Sequence, residues 1–136
     1  MTVTDSYTWV STSDGEASET VTLPVVSSGQ NGPGTADTNT TVFDTYGNGA
    51  WTKDGDGFIT YTATDPATGA VTEQISDVNT SITSDFSNLP SGWNTPAGGG
   101  LNLVTTSVPD TLGRPTETTD ANGNVTYMGA ESVVNG

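Results

Sequence analysis

The 136-residue chain has no cysteine and no histidine, and its only cations, Lys53 and Arg114, stand against 16 acidic residues, for a net charge of −14. The missing cysteines exclude disulfides and thiolate nucleophiles. The missing histidines exclude, in addition, Cys/His zinc sites and Ser-His-Asp or Cys-His triads. Two cations cannot form the basic footprint that nucleic acid or an anionic membrane surface requires, so neither is expected as a partner. No run of 18 apolar residues is present, and membrane insertion of a helix is not expected. The first residues show no basic segment followed by an apolar run, so no signal peptide is expected in the chain as it stands. Large aliphatic residues are also scarce: Leu, Ile, Val and Phe number 24. With this much charge, that scarcity is the composition of a disordered chain.

What is abundant opposes disorder. Thr, Val and Ile together number 43, and these β-branched side chains favour the pleated sheet. Seventeen Gly and ten Asn supply turns with positive φ. The length suits one domain or two small lobes, with a thin core. No apolar stripe of helical period occurs, whereas alternation is common. Tyr7 and Trp9 share one strand face, and Val21, Leu23 and Val25 share another. The run 27–34, rich in Ser, Gly and Pro, reads as a flexible hinge. Strands are expected at 40–46, 50–53, 58–64, 70–77, 101–108, 114–119 and 124–128, separated by Asp/Asn/Gly turns of hairpin type. Residues 79–100, rich in Pro and Gly, read as a long surface loop pinned by Trp93.

An internal repeat connects the two strand-rich stretches. At an offset of 66 residues Val42, Asp44, Gly47, Asp54, Gly57, Thr60 and Tyr61 fall on Val108, Asp110, Gly113, Asp120, Gly123, Thr126 and Tyr127. Each copy reads V-x-D-x-x-G, six residues, D-x-x-G-x-x-T-Y. Asp at the start of a turn accepts backbone N–H groups, and Gly three positions later takes positive φ.

The segment 110–127, D-T-L-G-R-P-T-E-T-T-D-A-N-G-N-V-T-Y, resembles the YD-repeat, or Rhs-repeat, family, whose units run D-x-x-G-R, a short strand, then T-D-x-x-G-x-x-T-x-Y. Residues 40–78 resemble a looser copy, with Asn48 where the family has Arg, and residues 89–105 resemble an inter-repeat insert. The resemblance covers about 40–131. It implies a spiralling β-sheet of large secreted or surface proteins, some enclosing a toxin and others acting in adhesion. The expected organisation is an N-terminal β-arm and hinge over 1–39, a first YD-like repeat over 40–78, an insert loop over 79–100, and a second, truncated repeat over 101–136. The expected fold class is all-β, short antiparallel hairpins in a sheet or sandwich with that arm.

Candidate chemistry is sparse. Asp54 and Asp56 in K-D-G-D-G-F-I-T occupy the third and fifth positions of a calcium loop, but Thr52 and Ala63 stand where its first and twelfth ligands belong. The pattern reads as a hairpin turn, with calcium the one candidate cofactor. Sixteen carboxylates could suggest a glycosidase, yet most Asp belong to turns and the chain is short for a walled cleft. No catalytic residue is assigned and no enzyme is expected. Trp9, Trp51, Trp93, Tyr46, Tyr61 and Tyr127 could stack on sugars or serve as core bulk. Lys53 could enter an isopeptide bond or simply be solvated. Asn39, Asn79 and Asn124 match the N-glycosylation acceptor. Repeated hairpins leave open edges, and the second copy stops early. Tyr7, Trp9, Val21 and Leu23 of the arm are therefore the assembly candidates, docking on a neighbouring copy around 124–134. The expected function is a non-catalytic extracellular or cell-surface structural protein that polymerises with itself by strand exchange or addition. The alternatives are a carbohydrate-binding adhesin module and a fragment of a toxin-enclosing Rhs shell.

Overall fold

Short runs rich in β-branched residues alternate with Asp/Gly turns, and the backbone follows that alternation through nine strands. The computed structural model describes residues 2–9 and 16–129. The strands are β1 (Thr4–Trp9), β2 (Glu16–Thr22), β3 (Thr38–Phe43), β4 (Gly49–Lys53), β5 (Ile59–Thr64), β6 (Val71–Ser76), β7 (Leu103–Pro109), β8 (Pro115–Thr119) and β9 (Val125–Tyr127). They form one antiparallel meander in which each strand pairs with its neighbours in sequence. The all-β expectation holds, in its single-sheet form.

Four turns share one geometry. In the β3–β4 turn, Gly47 N–H donates to Asp44 C=O at 3.1 Å, and Asp44 N–H donates to Asn48 C=O at 2.8 Å. The turns that begin at Asp54, Asp110 and Asp120 repeat this pair of bonds. Gly47, Gly57, Gly113 and Gly123 take φ between 80° and 90°. This is a type I turn closed by a glycine bulge, which suits the twist of antiparallel strands. Each Asp Oδ1 also accepts the N–H groups two and four residues on.

The 66-residue repeat is present in the pairing itself. Val42 lies opposite Trp51 and Val108 opposite Glu117; Trp51 lies opposite Tyr61 and Glu117 opposite Tyr127. The register shift after Val42 recurs after Val108. β3, β4 and β5 thus map onto β7, β8 and β9.

The core lies on one sheet face, under the segment that links β6 to β7. Trp51, Ile59, Tyr61, Ile75 and Val78 are buried, and Phe86, Leu89 and Trp93 of the linking segment pack against them. The insert is therefore a lid over the first copy. Its neck is tied by Asp77, which has φ of 53° and whose two carboxylate oxygens accept Gly100 N–H at 2.7 Å and Leu101 N–H at 2.9 Å. Thr95 Oγ1 adds bonds to Thr80 and to Val78 C=O. The other face is paved with Thr41, Thr52, Thr60, Thr62, Gln74, Thr105, Thr118 and Thr126, none of them buried.

Within the region 1–39, expected as an N-terminal β-arm and hinge, β2 pairs with β3 of its own chain from Ser18–Val42 to Thr22–Thr38. In the run 27–34, expected as a flexible hinge, Gln30 and Gly32 N–H donate to Ser27 C=O and Gly34 N–H donates to Val26 C=O. Leu23 N–H reaches Asp37 C=O at 2.8 Å, so the loop ends where it began. A short tether holds β2 at high effective concentration beside β3, whose edge would otherwise lack a partner.

Candidate functional site

Neighbouring strands alternate in direction, so β1 and β9, the first and ninth of the meander, point the same way. Their outer edges are the two ends of the ladder among the described residues. At the β9 end, Asp120 N–H donates to Asn124 C=O and Met128 N–H to Thr116 C=O at 2.8 Å. Residues 124, 126 and 128 therefore turn their backbone groups toward β8, and Val125, Tyr127 and Gly129 turn theirs outward. β9 is only three residues long, which itself limits an edge, but among the described residues it carries no proline, no charge and no bulge. Val108, Val125 and Tyr127 continue the core face beyond the lid and are exposed, Tyr127 at 75%. A groove of about 440 Å³ beside this edge is lined by Asp110, Arg114, Thr116, Tyr127 and Met128.

The β1 edge is different. Asp5 lies within it, and the register shifts between Thr8 and Trp9. Of the assembly candidates, Tyr7 and Trp9 pair with Glu19 and Glu16 of the same chain, and Val21 lies between Asp5 and Asn39. Leu23 lies just past β2.

Asp44, Asp110 and Asp120 of the repeated turns have shifted carboxyl groups. Asp110 is held below the usual carboxylate range, first by the Arg114 side chain, whose Nε is 2.8 Å away, and then by the Arg114 and Leu112 N–H groups. Arg114 Nη2 completes the pair at 2.7 Å. Asn124 and its N–H do the same for Asp120. At Asp44, partial burial works against the charge, but bonds from Asn48, Tyr46 and Thr64 outweigh it. Asn48 thus makes on Asp44 the contact that Arg114 makes on Asp110. Asp65 is lowered first by the Thr68 hydroxyl at 2.6 Å. Each of these four contributes stability above the ordinary carboxylate pKa and loses it as pH falls through its lowered value.

Glu73 runs the other way. On β6, it faces the lid side, and partial desolvation followed by the negative charge of Asp85 raises its pKa. A raised carboxyl favours the fold when protonated; that contribution is complete below the ordinary pKa and disappears as pH rises through the folded value. Glu73→Gln is therefore expected to raise the melting temperature at pH 7 and to leave it nearly unchanged at pH 4. Equal shifts at both values would show that Asp85 and desolvation are not the cause.

The remaining candidates are placed as follows. Asp54 and Asp56 lie in the β4–β5 turn, with Asp54 Oδ1 accepting Asp56 and Phe58 N–H. Among the described residues no three acidic side chains gather as a metal group. Trp51 and Tyr61 are core, with ring centroids 4.6 Å apart. They edge a groove of about 510 Å³ at the lid, together with Thr64, Ser87 and Asn88. Lys53, expected to be solvated, sits with Nζ 4.7 Å from the Trp93 ring centroid, a cation–π contact spanning 40 positions of sequence. Asn39 is exposed on β3. Asn79 Oδ1 accepts Ser81 N–H at the lid's neck, and Asn124 Nδ2 is bonded to Asp120. Sequence reading does not single out Asp77, whose role depends on Gly100 and Leu101, 23 and 24 positions away. Nothing local marks it as the lid's clamp. Comparison with family models, with curated proteins and with solved structures returns no match.

Proposed function

We propose that the chain is a non-catalytic extracellular structural protein that assembles with itself by β-strand addition into a surface filament or sheet. The observation that carries this reading is the β9 edge: outward backbone groups at Val125 and Tyr127, and at Gly129 just beyond, with no proline, charge or bulge in the strand among the described residues. The resemblance of 110–127 to YD repeats, which build extended secreted sheets, supports the same reading. The pairing that recurs at 66 residues supports it as well. The charge of −14 opposes association at low salt and is screened over about 10 Å at 0.1 M.

Sedimentation velocity and negative-stain electron microscopy across protein concentration test the reading. Filaments or sheets should form with rising concentration, and more readily at 0.15 M than at 0.01 M NaCl. A chain that stays monomeric at every concentration, yet melts higher with a glycan from a sugar panel, would overturn it in favour of an adhesin module.

A further inference from the structure

Each strand has a place in the four-strand repeat, and the places show which edge can continue it. Ile75 of β6 lies opposite Val104 of β7, and Thr22 of β2 lies opposite Thr38 of β3, which the offset of 66 maps onto Val104. β2 therefore stands where β6 stands. Next, Ile75 pairs with Tyr61, and Thr22 pairs with Thr4, so β1 stands where β5 stands. The offset carries Tyr61 to Tyr127, so β9 holds that same place. The sheet thus begins and ends on the same kind of strand. Strands β2 to β9 are two whole repeats, and β1 duplicates β9.

Simple stacking of β9 on a neighbour's β1 does not continue the repeat. Those strands run parallel under translation and repeat one place instead of advancing to the next. β9 followed by β2 of another copy is antiparallel and in sequence with the repeat. We infer that β1 is an exchangeable cap: in the assembly β9 of one copy pairs with β2 of the next, and the β1 of that next copy gives way. The inference rests on the strand-addition reading above and specifies its junction. By place in the repeat, Tyr127 takes the position of Thr4 opposite Thr22, and Gly129 that of Ser6 opposite Thr20. The backbone parity agrees. Leu23 N–H bonds to β3's end at Asp37 C=O, so Thr20 and Thr22 face β1, as they would face the outward groups of Tyr127 and Gly129. β1 is suited to leave, because residues 2–8 are all exposed and none belongs to the core.

The chain has no cysteine, so one engineered pair can lock the cap. Asp5 and Val21 are opposite each other at a non-hydrogen-bonded position, where Cα atoms lie about 4.5 Å apart, within disulfide reach. Asp5→Cys/Val21→Cys should assemble when reduced, and oxidation should raise the critical concentration at least about tenfold by removing the competent state. In the otherwise unaltered full chain, Ser6→Pro/Thr8→Pro removes N–H groups that face β2 and should lower the critical concentration. Tyr127→Pro, which removes an outward N–H and keeps the β8 bonds, should abolish assembly. Equal assembly of the oxidised and reduced pair overturns the exchange and leaves strand addition standing. If the wild type and the Ser6→Pro/Thr8→Pro chain both stay monomeric, the exchange and the strand-addition reading are both overturned.

Discussion

Trp51→Ala is expected to lower the melting temperature by about 10–15 °C, the largest effect of any single truncation in this chain. A buried tryptophan cut to alanine costs about 3–5 kcal/mol, and 1 kcal/mol moves the midpoint by about 2–4 °C or more in a chain of this size. Trp51 is 2% exposed and joins both layers of the fold: Tyr61 of the sheet at 4.6 Å and Phe86 of the lid at 5.3 Å between ring centroids. Its Nε1 also donates to Ser87 C=O at 3.2 Å. Truncation removes the packing and orphans that carbonyl. Trp51→Phe keeps most of the volume and loses the bond, so a shift of about a third as much is expected. Near-ultraviolet circular dichroism followed through a thermal melt checks both. Tyr46→Ala, at a side chain 69% exposed, should leave the midpoint in place.

Asp77→Ala is expected to cost about 3 kcal/mol and to loosen the lid before the sheet. The two carboxylate bonds, one partly buried and one exposed, are worth about 1 kcal/mol each after solvent screening, and a left-handed residue without a locally bonding side chain adds about 1–2 kcal/mol of strain. Asp77 supplies both carboxylate bonds at the lid's neck from a φ of 53°, and its C=O accepts Asn102 N–H at 2.9 Å. Asp77→Asn tolerates the same backbone and keeps one amide acceptor, so about half the loss is expected. Urea unfolding gives the magnitude. Amide hydrogen exchange gives the location, because protection should fall across 78–101 while β3–β5 retain theirs. Unchanged exchange in the lid would remove the clamp role.

The turns and strands were legible in the sequence because their causes are local. Asp44, Asp54, Asp110 and Asp120 each accept amides two and four residues away, and the glycine three positions on supplies the bulge. The strands between them start and end within about three residues of their expected bounds, and the 66-residue repeat reappears in the cross-strand register. The sequence alone also determined the absence of thiol, imidazole and basic-surface chemistry, since composition does not depend on folding.

Tertiary structure decided what alternation cannot express. In β5 the alternation I-T-Y-T-A-T sets Ile59 and Tyr61 apart from Thr60 and Thr62, but what buries that apolar face is the docking of Phe86, Leu89 and Trp93 from a distant segment. The same docking turns an apparent surface loop into a lid and sets Trp93 beneath Lys53. The aligned row of the second copy has Glu117 where the first has Trp51, and Tyr127 at its end stays exposed. β2 could have paired with any open edge its tether allowed; it took β3 of its own chain because residues 23–37 close on themselves at Leu23 and Asp37. Hairpin chemistry is settled by neighbours in sequence, whereas face and edge are settled by whichever distant segment removes the most apolar surface and unpaired backbone from water.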